Sequence, residues 1–189
     1  MHLMRKCPCP VWVVKPTHRK RYKRVLAAVD TSSDLPVEEQ QSLNSLIMQL
    51  SSSIAKMDDS ELHLVQVWAV YAEGYLSVRG GISEKEIKKM RALTRRQYTG
   101  EIDKLLQVTG IHRSAVVKHL PRSENVAKSI ASLAKSKKID LLVMGTVCRT
   151  GVSGLLIGNT AEKVLNDVDC SVLTVKPEGF VTPVKLEAG

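Results

Sequence analysis

Aromatic side chains are scarce: one phenylalanine, two tryptophans and four tyrosines in 189 residues. Hydrophobic residues still make up 43% of the chain, so the core must be filled by Val, Leu, Ile and Ala. That is the filling of a sheet buried on both faces. No apolar run reaches the roughly 20 residues that a membrane-spanning helix needs. The opening MHLMRKCPCP lacks the apolar stretch of a secretory signal, so a cytoplasmic location is expected. Of the four cysteines, Cys7 and Cys9 are too close for a CxxC redox or zinc pair. No histidine stands at ligand spacing, and no metal is expected. Cys170 reads as a small apolar packing residue.

Catalytic signatures are missing too. GVSGL is not GxSxG, and no paired carboxylates flank the glycines around it. The five histidines, His2, His18, His63, His112 and His119, join no nucleophile, and those in strands read as exposed or satisfied. The expectation is a protein that is not an enzyme, or at most a slow ATPase.

Positive charge is in excess. The net charge is +9, and much of it sits in THRKRYKR, residues 17–24. No aromatic stacking set or recognition helix accompanies that run. It reads as a solvated linker, with nucleic acid not expected as a partner.

After the linker, strand and helix patterns alternate. KRVLAAVD, ending at Asp30, reads as a buried strand. Leu43, Leu46, Ile47, Leu50 and Ile54 recur at helical spacing over 37–56. Strand patterns follow at 61–70, 113–120, 139–145 and 170–175, and helical patterns at 83–107, 121–138 and 159–168. Ser83 with Glu86 predicts a capping box. Alternation with near-continuous apolar strands predicts an α/β fold, a parallel sheet covered on both faces.

The two ends of the chain echo each other. CPCPVWVVKP, residues 7–16, and DCSVLTVKP, residues 169–177, share a cysteine, a β-branched run and Lys-Pro. Residues 1–16 therefore read as the remnant last strand of a preceding, similar domain. Residues 17–23 follow as basic linker, 24–177 as the main domain and 178–189 as a tail. An orphan strand must cover its edge, so residues 10–15 are expected to pair with 170–175 of this chain or of a second copy.

Ligands of open parallel sheets sit beyond the carboxyl ends of strands, where the strand order reverses. Two strands here end in a polar residue or a glycine: AAVD at Asp30, and VMG at Gly145, which opens GTVCRTGVSGLLIGNT, residues 145–160. Gly145 would let the backbone leave the strand sharply. Gly158 precedes a helix whose first amides, at Asn159, Thr160 and Ala161, would be free to hold a phosphate. The Asp30 carboxylate could accept from an adenine amine or a ribose hydroxyl. The segment is neither GxGxxG nor GxxxxGK[ST]. A turn carboxylate and a plain structural loop stay open as alternatives.

AAVDTSSD, LHLVQVW, GTVCRTGVSGLLIGNTAEKVL and CSVLTVKP resemble the universal stress protein family over roughly residues 22–177. The likeness is greatest to the second domain of tandem E-type members, and the tail VTPVKLE resembles theirs. The resemblance implies a five-stranded parallel sheet in the order 3-2-1-4-5, with the N-terminal strand added to it. It implies homodimers or tandem pairs joined through the last strands. It also implies ATP or another adenine nucleotide as ligand, with or without Mg2+, in a stress response. In ATP-binding members an Asp at position 30 contacts adenine and the position of Val67 lines the base pocket. The phosphates lie on a G-x2-G-x9-G-[S/T] loop. Gly145 and Gly158 match its first and third glycines, whereas Cys148 replaces the second and Asn159 the Ser/Thr. Arg149 could supply a compensating cation. The implied ligand-binding set is Asp30, Thr31, Val67, Met144, Gly145, Thr146, Cys148, Arg149, Gly158, Asn159 and Thr160. Binding is expected to be weak or selective. The alternative is an interaction module of the same fold, its cleft empty or holding an apolar ligand.

Overall fold

The computed structural model describes residues 4, 7–16, 21–31, 37–71, 73, 81–146, 158–178 and 180. In chain order its strands and helices are β1 (Val11–Val13), β2 (Arg24–Ala28), α1 (Val37–Asp58), β3 (Glu61–Val65), α2 (Glu84–Val108), β4 (Val116–His119), α3 (Val126–Ser136), β5 (Leu141–Gly145), α4 (Asn159–Asp167) and β6 (Ser171–Val175). One six-stranded sheet runs β1-β6-β5-β2-β3-β4. Counted from β2 onward, the five later strands stand in the order 3-2-1-4-5 and are all mutually parallel. β1 joins antiparallel to β6 of the same chain, with Val11 opposite Thr174 and Val13 opposite Val172.

Alternation along the strands sends side chains to two cores. Val25, Ala27, Leu141 and Val143 meet Leu43, Ile47 and Met48 of α1 and Ile102 and Leu106 of α2. Leu26, Ala28, Leu142 and Met144 meet Ala127 and Ile130 of α3 and Ala161 and Val164 of α4. The sheet is therefore buried on both sides, which is why its strands carry so little polar interruption. The capping box forms as predicted: the Ser83 hydroxyl accepts from the Glu86 amide, and the Glu86 carboxylate accepts from the Ser83 amide. Cys170 packs against the second core, and burial pushes its thiol up to about 11, so it stays an un-ionised packing residue. No described helix is long and apolar enough to cross a membrane.

The strand order reverses between β2 and β5. One neighbour chain of crossovers runs outward through β3 and β4, the other through β6. That reversal opens a crevice at the carboxyl ends of β2 and β5.

Candidate functional site

Ala28 stands opposite Met144 in the β2–β5 ladder. Residues 30 and 146 therefore leave the sheet side by side, on strands about 4.8 Å apart. Two buried amides that the sequence reading overlooks fix the β2 exit. Asn44 of α1 is 5% exposed, and Gln66 beyond β3 is 1% exposed. The Asp30 amide donates to Asn44 Oδ1 (3.1 Å), and Asn44 Nδ2 donates back to the Asp30 carbonyl (2.8 Å). Gln40 Nε2 reaches the same carbonyl (2.9 Å). The Thr31 amide donates to Gln66 Oε1 (2.8 Å), while Gln66 Nε2 donates to the Val67 carbonyl (2.9 Å). Asp30, Thr31 and Val67 are thus tied into one rigid edge.

On the β5 side, the Thr146 amide donates to the Val175 carbonyl (3.1 Å), and the Gly158 amide donates to the Thr146 carbonyl (3.3 Å). Gly158 caps α4 without a side chain. The first helical bond runs from the Glu162 amide to the Gly158 carbonyl (3.0 Å), so the amides of Asn159, Thr160 and Ala161 have no acceptor within the helix. Met144 and Val67 are buried in the core beneath this edge. Asp30, Thr31, Val67, Met144, Gly145, Thr146, Gly158, Asn159 and Thr160 all fall at the carboxyl edge. Cys148 and Arg149 lie outside the described residues.

Gly145 does something other than expected. Its backbone is not in the left-handed region, and a Cβ there would stand 2.9 Å from Leu43 Cδ2. The missing side chain admits α1 close to the end of β5, so close packing, not a sharp turn, explains this glycine.

Three buried side-chain polar atoms lack a hydrogen-bond partner among the described residues: Thr31 Oγ1, Thr146 Oγ1 and His63 Nε2. The two hydroxyls stand at the crevice. The histidine stands elsewhere, between β3 and β4. His63 stacks on His119, with Nδ1 of the first 2.9 Å from Nε2 of the second, and its own Nε2 lies 3.2 Å from Glu61 Oε2. Burial, reinforced by the His63 ring, holds the His119 imidazolium below its ordinary range. Among the described residues the rings of this pair make no hydrogen bond to a crevice residue.

Two open grooves lie at the opposite, amino edge of the sheet. One is lined by Tyr22, Lys23, Arg24, Asp58 and Glu61, the other by Lys15, Lys138, Asp140, Asp169 and Cys170. Their acidic groups serve the fold: Asp58 accepts from the Tyr22 amide, and Asp140 accepts from the amides of Lys23 and Arg24. Neither groove holds one of the buried unpartnered atoms. The carboxyl edge is the stronger candidate on that ground.

Similarity to known proteins agrees with this geometry. Residues 21–176 match the profile of the universal stress protein family. The chain is 32% identical over 189 residues to universal stress protein E of Escherichia coli K12, covering 98% of this chain and 57% of that protein. It thus spans a little over half the length of that relative. The fold superposes on the structure of PA1789 from Pseudomonas aeruginosa PAO1, a protein of unknown function, with a TM-score of 0.71 and 26% identity over 95% of this chain and 56% of that one. A universal stress protein solved in complex with cAMP shares the fold at a TM-score of 0.51 and 17% identity, over 82% of this chain and 98% of that one. With the profile covering most of its length and the sheet in the matching order, the chain belongs to the universal stress protein family.

Proposed function

We propose that this chain binds an adenine nucleotide weakly or selectively in the crevice between the ends of β2 and β5. Its binding state would be read out through pairing with another domain or copy during a stress response. The observation that carries the reading is the pair of buried, unpartnered hydroxyls at Thr31 and Thr146. A native protein rarely leaves such groups unsatisfied, and a polar ligand at the crevice would satisfy both. The ligand's base would lie on the Val67 side, against the Asp30 edge. Its phosphates would lie on the Gly158 side, at the positive end of α4. The family neighbour with cAMP carries an adenine nucleotide on the same fold. Cys148 at a motif glycine is the reason to expect weaker binding than a full glycine loop gives, because a side chain there obstructs close approach of backbone to phosphate.

Thermal unfolding of the purified chain with ATP or AMP tests this. At a ligand concentration about 100 times Kd the midpoint should rise by roughly 5–10 °C. An unmoved midpoint at millimolar ATP and AMP, in folded protein, would sink the nucleotide reading and favour an empty interaction scaffold.

A further inference from the structure

Two imidazoles meet inside the sheet, outside the set of residues assigned to the ligand. His63 of β3 is 3% exposed, and His119 ends β4 on the same face of the sheet. Nδ1 of the first and Nε2 of the second are 2.9 Å apart. The ring planes differ by 8° and the centroids lie 5.2 Å apart, as far as this N–N contact allows, so the contact runs in line with both rings. That is the direction of a ring N–H and of a ring lone pair. One proton fits between the two nitrogens and makes an N–H···N hydrogen bond. Two protons would set N–H against N–H.

The charges around the pair permit one positive charge and oppose a second. Glu61 Oε2 stands 3.2 Å from His63 Nε2 and favours a proton there, which leaves His63 Nδ1 to accept from His119 Nε2. Arg24 of β2 already pairs with that carboxylate (3.3 Å). Lys137, which caps the end of α3, adds positive charge on the His119 side. Lys118, beside His119 on β4, points to the other face and pairs with Asp103 (3.1 Å). In the unfolded chain the two histidines protonate independently, each near its ordinary value of about 6.5. Below that pH the unfolded chain therefore binds one more proton than the folded pair can hold. Stability is complete above it and falls as the solution turns acid.

The backbone carries this contact to the crevice. The Gln66 amide donates to the His119 carbonyl (3.0 Å), and the Gln66 side chain holds the Thr31 amide and the Val67 carbonyl. β4 stands at the end of the sheet and pairs with β3 alone, so it is the strand that repulsion between the rings would displace.

We propose that the His63–His119 contact is a proton-operated latch: a second proton on the pair pushes β4 from β3 and, through the His119 carbonyl, releases Gln66 from the crevice edge. The latch stands apart from the function proposed above, and only its effect on nucleotide rests on that reading. The chain then holds its ligand at neutral pH and loosens it in mild acid.

Chemical denaturation of the wild type and His119→Gln from about pH 8 to about pH 5 tests the latch. The glutamine can still donate to His63 Nδ1 but takes no proton. The folding constant of the wild type should fall up to about tenfold more per pH unit below about pH 6.5 than that of the variant. ATP titrations of both proteins at neutral pH and at about pH 6 test the coupling, with the variant correcting for the titration of ATP itself. On acidification the wild type should lose at least about threefold more affinity than the variant. In the folded wild type, the ring proton resonances should show one histidine of the pair taking up a proton and the other not, which decides the matter even if His119→Gln fails to fold. Parallel stability profiles, or both rings titrating in the folded protein near about pH 6.5, would overturn the latch. Differing profiles with equal losses of ATP affinity would overturn its link to the crevice. Differing profiles in a chain that binds no ATP at any pH would uphold the latch and remove the nucleotide reading.

Discussion

Asn44→Ala should lower the unfolding free energy by about 2–4 kcal/mol and weaken nucleotide binding at least tenfold. Asn44 is buried, and both its amide atoms are spent on the backbone of one residue, Asp30. Its removal takes away the acceptor that Asn44 Oδ1 supplies to the Asp30 amide. Gln40 would still hold the Asp30 carbonyl, so the exit of β2 would loosen without detaching. In a chain of this size such a loss corresponds to a fall in melting midpoint of roughly 4–16 °C. Asn44→Asp separates space from hydrogen bonding. It keeps the shape and the acceptor for the Asp30 amide but turns a carboxylate on the Asp30 carbonyl, so it should lose as much. Chemical denaturation and ATP titration of both variants check this. Midpoints and affinities within error of the wild type would show that Asn44 does not hold the crevice.

Deleting residues 1–16 should have a comparable effect by a different route. β1 covers the outer edge of β6, and its Val11 and Val13 pack against the second core together with Met4. The Thr174 hydroxyl donates to the Val11 carbonyl (3.1 Å), and the Lys15 amide donates to the Ser171 hydroxyl (3.0 Å). Loss of this burial should cost about 3–6 kcal/mol, taking partial burial of the two valines into account. The bared β6 edge would also present unpaired backbone donors and acceptors to other chains. The shortened chain should melt lower and elute earlier, or aggregate, on size exclusion. An unchanged midpoint and elution volume would mean that β1 contributes little to the fold.

The sheet was legible because its strands are apolar on both faces and its helices carry a 3.6-residue pattern. Boundaries went astray where tertiary hydrogen bonds outweigh local pattern. The spacing extends a helix over 121–138, yet α3 begins at Val126. Ser123 instead donates its amide to the Trp68 carbonyl, and the Asn125 side chain caps the helix at the Lys128 amide. The strand pattern at 113–120 loses its first residues to a 3-10 turn at Arg113–Ala115, opened by the His112 side chain. At the site, Asp30 and the glycine segment were visible as polar or flexible residues at strand ends. Asn44 and Gln66 were not. Both are polar residues inside apolar patterns, where a sequence shows only an interruption. Their meaning lies in partners 14 and 35 positions away, at Asp30 and Thr31. A polar residue on an otherwise buried helix face, as Asn44 between Leu43 and Ile47, is the signal that could have found Asn44.

Where a nucleotide sits on the chain is measured most directly by following the backbone amide resonances of isotope-labelled protein during an ATP titration. The largest shifts should fall on Thr31, Thr146, Asn159 and Thr160 at the carboxyl edge, with Tyr22, Lys23 and Asp140 at the amino edge unmoved. Shifts gathered at the amino-edge grooves, with the carboxyl-edge amides silent at saturation, would contradict the account.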